Sequence, residues 1–239
     1  MFKNLTFLAL ALLMTSCPQD IGQILDSTIG GTTVESLTNG EIVGGLKEAL
    51  SKGAGNSSDL LSRADGFYKS PYKILLPAEA RKVTDRLQGI PGFAQLEENI
   101  LEKINRGAED AAKSAKPIFL RAIRSMSVRD ALGILKGEKD AATTYLKRTT
   151  FDQLYNEFNP VIVESLDKFN ARTTWTNAVT AYNKIPFNSD KADPNLDDYI
   201  TKKALDGLFL QVAKEELDIR TNLRSRTTDL LRKVFAEQD

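Results

Sequence analysis

An all-α fold is what this sequence predicts: a single bundle-like domain of about eight or nine helices with no substantial sheet. Three observations carry the expectation. Apolar residues recur at spacings of three and four through nearly all of the chain beyond residue 31, which is helical periodicity. The one extended-looking apolar run, YKILL from Tyr72 to Leu76, is too short to make a sheet and reads as a buried connector. The 239 residues, 41% hydrophobic and 27% charged, have the balance of a globular chain with a buried core. Two subdomains meeting near residues 137 to 150 are the alternative organisation.

The elements follow in order. Leu5 to Met14 is apolar except for Thr6 and follows a single basic residue, Lys3. A spanning helix needs about 20 apolar residues, so this run reads as the core of an export signal. Leu13-Met14-Thr15-Ser16-Cys17 resembles the bacterial lipoprotein lipobox, with Met14 where leucine is commoner. That resemblance implies that residues 1–16 are removed and that the Cys17 thiol carries a diacylglyceryl group. The membrane anchor would then be this covalent acyl lipid, and no other cofactor is expected. Several acyl chains hold a protein stably where a single chain holds it only marginally. Cys17 is the sole cysteine, so no intrachain disulfide forms. Residues 17–31 form the lipidated N-terminus and a tether, whose flexible part would reach about 20 Å. Pro18 stands where an aspartate would signal inner-membrane retention, which favours the periplasmic face of the outer membrane.

The helical domain is expected over residues 32–239. Thr32-Thr33-Val34-Glu35 fits a capping box opening a helix to about Lys52, and GAGNSS, Gly53 to Ser58, reads as a break. Asp65-Gly66-Phe67 and Gly92 read as turns. From Phe93, the positions Leu96, Ile100, Ile104, Gly107, Ala111 and Ala115 share one face, and its small residues allow a close helix neighbour. Asn105, Arg106 and Glu109 lie on the other flank and read as solvated, or as a partner surface if Asp130 or Tyr145 comes alongside. Pro117 starts or kinks the next segment. Ser127 to Asp130 caps a short helix ending at Gly137. After the stripe Phe151, Leu154, Tyr155 and Phe158, Asn159-Pro160 reads as a restart. Trp175, Ala178, Val179, Tyr182 and Ile185 form another stripe. Pro186 to Asn195 is a surface loop before the last helices.

Composition excludes much chemistry. The chain has no histidine, which removes histidine-based triads, Cys/His zinc sites and the usual near-neutral proton carrier. Lys+Arg and Asp+Glu both number 32, so no basic excess invites nucleic acid. There is no Walker loop and no dinucleotide fingerprint. Asp190, Asp193, Asp197 and Asp198 lack calcium-loop spacing. No catalytic residue and no metal ligand is assigned.

One polar site stands out. On a helical wheel with Leu205 at zero, Leu208, Phe209, Val212 and Ile219 fall within about 60°, and Glu216 falls near 20° among them. A carboxylate there either has a partner under the fold or looks into a cavity. Arg220, four residues on, is the nearest partner, and Arg224 and Arg226 follow. Glu216, Arg220, Arg224 and Arg226 are therefore the candidate polar site. It reads as a structural ion pair or as a place that binds an anion or moves a proton.

Four stretches together carry a family resemblance: DGFYKSPYKILLP (Asp65 to Pro77), NRGAEDAAKSAKPIF (Asn105 to Phe119), SVRDALGILKGEKDAATTYLKRTT (Ser127 to Thr150) and the run Tyr199 to Phe235. They resemble the bacterial domain-of-unknown-function family 4197 over roughly residues 40 to 235. Gly107 stands where that pattern commonly has alanine. The resemblance implies a helical, often exported envelope protein and supplies no activity, cofactor or catalytic residue.

Three functions are open to such a chain. The leading one is a non-enzymatic binding or scaffolding module for a protein or cell-wall partner. The second, a carrier for a lipid or other apolar ligand, requires a closed apolar cavity of several hundred Å³. The third, a carboxylate-dependent hydrolase, requires a second carboxyl about 5–9.5 Å from Glu216 across a cleft.

Overall fold

The first helix starts where a side chain can satisfy its free amides. Thr38 accepts the Glu41 N–H, and the Glu41 carboxylate accepts the Thr38 N–H at 2.9 Å, a reciprocal capping box. The structure, a computed structural model, describes residues 37–187 and 190–236. The capping box expected at Thr32 to Glu35 and the tether both lie outside them, as do residues 1–16 and Cys17.

Helix α1 (Asn39–Leu61) runs straight through GAGNSS, where a break was expected. Glycine in a helix costs about 1 kcal/mol relative to alanine, but here the small residues are buried against neighbours. A Cβ on Gly53 would sit 3.3 Å from that of Glu215, and the Ser58 hydroxyl donates to the Ala112 carbonyl at 2.7 Å. Close packing outweighs propensity. The turn after α1 holds Asp65 in the left-handed region at φ 66°, which aspartate tolerates better than most residues. The connector that follows is non-helical, with Ile74 and Leu76 buried as expected.

Helices α2 (Ala78–Leu87), α3 (Leu96–Ala112), α4 (Ala115–Arg124) and α5 (Val128–Leu135) come next. Pro117 sits in the first turn of α4, where its missing N–H costs nothing. Helix α5 opens on the predicted Ser127–Asp130 capping box. Helix α6 (Ala141–Lys168) corrects another expectation, because Pro160 lies inside it instead of starting a new one. The proline leaves the Asn156 carbonyl without its helical donor. The helix continues because Phe158, Ile162 and Leu166 keep one buried face, and Asn159 donates to the Thr201 hydroxyl at 3.1 Å. Helix α7 (Ala171–Asn183) follows Asn170, which is left-handed at φ 55°.

Helix α8 (Asp197–Thr221), a single-turn 3₁₀ segment (Leu223–Ser225) and α9 (Asp229–Ala236) complete the chain. The long helices α6 and α8 pack on each other; α3 and α4 lie against α6, α1 lies against α8, and α9 docks on α1. Gly107 and Ser165 set the close approach of α3 to α6, a Cβ on the glycine falling 3.5 Å from that of Ser165. Leu205, Leu208, Phe209, Val212 and Ile219 are buried, as their shared face predicts. Among the described residues no strand forms, so the all-α expectation holds. Leu37 onward is one compact unit, without a division near residues 137 to 150.

Candidate functional site

Helix α6 begins without help from its own N-cap: Asp140 makes no side-chain capping bond. The first turn of any helix exposes unpaired N–H groups and a partial positive charge. Glu216, projecting from the buried face of α8, supplies what is missing. Its carboxylate accepts the Ala142 N–H at 2.9 Å, the Thr143 N–H at 2.8 Å and the Thr143 hydroxyl at 2.8 Å.

Arg220 lies one turn further along α8. Its Nε and Nη2 each donate to Glu216 Oε1 at 3.0 Å, and Nη2 also donates to the Ile134 carbonyl at 2.9 Å, near the end of α5. The negative group thus meets a helix start and the positive group a helix end, the arrangement helix dipoles favour. The two side chains are only 5% and 8% exposed. Together they join α5, α6 and α8.

Arg226 is buried too, donating to the Ile219 carbonyl at 3.1 Å and the Arg220 carbonyl at 2.8 Å. It closes the C-terminal end of α8 and stands over the Phe235 ring. Arg224 is exposed, and its N–H is held by Asn222 in the 3₁₀ turn. Of the four residues the sequence singled out, Glu216 and Arg220 meet, Arg226 closes the same helix, and Arg224 does not join them.

This geometry removes two requirements. Glu216 is enclosed and gripped by arginine, so it does not face a second carboxyl across a cleft as a glycoside hydrolase would need. The apolar void beside it, lined in part by Leu46, Leu146 and Val212, measures about 20 Å³, and another beside Trp175 is the same size. Each has room for about one water, far below the several hundred Å³ a carrier would need. Among the described residues no three of His, Cys, Asp and Glu cluster to hold a metal.

A second polar cluster overturns the solvated reading of Asn105 to Glu109. Asn105 is fully buried: its carboxamide oxygen accepts the Ile74 N–H at 2.7 Å, and its nitrogen donates to Ile74 and Leu101 carbonyls at 2.9 and 2.7 Å. Glu109 accepts the N–H groups of Phe67 and Tyr68, both at 3.1 Å. Arg106 bridges Glu109 and Asp65 at 2.8 Å to each. The guanidinium holds the Asp65 carboxyl below its ordinary range. Tyr68, hydrogen-bonded to Glu98, has its hydroxyl pushed up to about 12. Asp130 stays in its own capping box rather than coming alongside.

The sequence did contain a signal for Asn105. Leu101, Ala108 and Ala112 lie within about 60° of it on the α3 wheel, a second apolar arc beside the first.

Outside these clusters lies an open groove of about 700 Å³ between the connector Pro71–Leu75, the start of α6 and the outer face of α8. Leu75 and Leu210 line it and are 55% and 63% exposed. No described helix is long and apolar enough to cross a membrane.

Comparison with curated proteins and with solved structures finds no match. A family model does match, over residues 36–236, which spans all of the described residues and so includes both polar clusters and the groove. The chain therefore belongs to the family described as protein of unknown function (DUF4197).

Proposed function

We propose that the protein is a cell-envelope lipoprotein, anchored by acyl lipid on Cys17, whose helical domain is a non-enzymatic binding or scaffolding module for an envelope partner. The periplasmic face of the outer membrane is its proposed place. The lipobox-like segment and the tether support the anchoring.

One observation carries the binding role. The buried ionisable and amide side chains of both clusters are spent on backbone groups, whereas the groove beside α8 keeps leucines in solvent. Interiors that do chemistry leave a polar group facing a cavity; Glu216 and Glu109 face helix and loop amides. Two exposed leucines lining one groove offer apolar contact to a partner.

Two measurements test this. Mass spectrometry of the native protein is expected to give an N-terminal peptide starting at a lipid-modified Cys17. An unmodified thiol, or a chain still starting at Met1, overturns the anchoring. A photo-cross-linking residue at Leu210, activated in the intact envelope, is expected to give one discrete adduct. Its absence overturns the binding role.

A further inference from the structure

The connector beside the groove is pinned along one edge only. A single planar carboxamide, that of Asn105, reaches both the N–H and the carbonyl of Ile74 at 2.7 and 2.9 Å. It can do so only when both groups point the same way, as in extended backbone. The N–H and carbonyl groups of Lys73 and Leu75 then point to the opposite edge, away from α3.

Two of those four groups are occupied. The Lys73 N–H donates to the Ser70 carbonyl at 3.1 Å, and the Leu75 carbonyl accepts from the Tyr199 hydroxyl at 2.9 Å. Tyr199 belongs to the groove, so this edge faces it. The Lys73 carbonyl and the Leu75 N–H have no partner among the described residues. An acceptor and a donor two residues apart on one strand edge match one residue of a parallel neighbouring strand.

The lining completes the description. Leu75 and Leu210 offer exposed apolar contact. Lys203 is paired with Asp206 at 3.5 Å, while Lys73 and Lys147 have no carboxylate within ion-pair distance among the described residues. Asp140 is the other carboxylate of the lining.

The geometry points to a groove that docks an extended polypeptide segment bearing an acidic side chain. One ligand residue places its N–H on the Lys73 carbonyl and its carbonyl on the Leu75 N–H, in parallel register. Its neighbours set an acidic group by Lys73 and Lys147 and apolar groups on Leu75 and Leu210. This is strand addition without a preformed sheet: main-chain bonds give affinity and flanking side chains give selectivity. It rests on the binding role proposed above and names the partner's chemistry.

Random heptapeptides displayed on phage and selected on the immobilised mature chain provide the probes, and fluorescence anisotropy of the synthesised winners gives their affinities. Winners are expected to be acidic. They should lose at least tenfold in affinity when a single backbone nitrogen is methylated. Leu75→Pro deletes the unpartnered N–H and, with it, the leucine side chain, and is expected to weaken binding at least tenfold. Leu75→Ala, which keeps the N–H, should weaken it less. Lys147→Glu, an exposed change expected to leave the melting curve close to the parent's, should weaken binding as Leu75→Pro does. Selection that yields no binder overturns the inference, as do winners that bind Leu75→Pro and Lys147→Glu like the parent. So does Lys147-dependent binding of anionic phospholipid vesicles without peptide binding. If peptides dock in the groove but the Leu210 cross-link in the envelope gives nothing, the binding role fails while the groove's chemistry stands. An adduct without peptide selectivity fails the other way.

Discussion

The two polar clusters solve the same problem with different strength. Glu216 and Arg220 close gaps between regular elements: a helix start lacking a cap and a helix end with spare carbonyls. Asn105 and Glu109 hold an irregular segment whose backbone has no ladder or helix of its own, at Ile74 and at Phe67 and Tyr68. The first cluster buries nearly all of a paired charge. The second puts a neutral amide, Asn105, and the Glu109 carboxylate in the interior and leaves the outer part of its charged bridge, Arg106 to Asp65, partly wet. Both look like active-site material in isolation, and both have their donors and acceptors engaged by backbone groups and by each other. A buried ionisable side chain identifies a site only when its acceptors and donors are not already consumed by backbone.

That difference predicts unequal damage. Glu216→Ala leaves Arg220 enclosed without its carboxylate and strips the first turn of α6 of its acceptor, so it is expected to cost about 3–5 kcal/mol, read from urea unfolding midpoints. Glu216→Leu combined with Arg220→Met should cost less than Glu216→Ala alone, because no unpaired charge remains. A double variant that is worse than the single one would show that the pair does more than join three helices.

Asn105→Ala removes bonds to Ile74 and Leu101 without burying a bare charge. A cost of about 1–3 kcal/mol is expected, smaller than for Glu216. Its distinguishing sign is local. Hydrogen exchange at the Ile74 amide should accelerate more than at amides inside α3, because the connector has little else to hold it. Uniform acceleration would mean that Asn105 supports the whole domain.

How much of this was legible in the sequence follows from the same contrast. Glu216 was visible because it interrupts a single apolar stripe on a regular helix, and periodicity reports such interruptions directly. Arg220 followed from its four-residue spacing. Asn105 and Glu109 read as solvated from periodicity alone, because their side of α3 is covered by a connector with no period of its own. The helix therefore has two buried arcs where its main apolar stripe predicts one. The breaks expected at Gly53 and Pro160 failed for a related reason. Gly53 and Ser58 are small because α8 and α3 press against α1, and Pro160 is tolerated because Phe158, Ile162 and Leu166 bury one face of α6. Propensity is local, and tertiary contact overrode it at both sites. The groove had no sequence signature, since it is assembled from three separated segments.

A gentler test separates the clusters by pH. Asp65 is held below its ordinary value of 3.8, chiefly by its hydrogen bond from Arg106. Its unfolded form therefore binds protons more readily than its folded form. The stability it contributes is complete above that ordinary value and is lost as pH falls through the lowered one. Urea midpoints followed from about pH 5 down to about pH 2.5 should fall less steeply in Asp65→Asn than in the parent. Equal slopes would detach Asp65 from the bridge that holds the connector.

The smallest effect belongs to Arg224, and it bounds the first cluster. The sequence grouped it with Glu216, Arg220 and Arg226, yet its side chain is exposed and only its backbone N–H is engaged, by Asn222. A surface substitution away from caps and networks changes stability little, so Arg224→Ala should unfold at the parent's urea midpoint. Arg226→Ala gives up bonds to the Ile219 and Arg220 carbonyls and the packing on Phe235. It should shift the midpoint clearly, with α9 the first element to lose protection from hydrogen exchange. If Arg224→Ala were the more damaging of the two, the exposed side of the 3₁₀ turn would be supporting the fold, and the strut would extend one residue further than its hydrogen bonds reach.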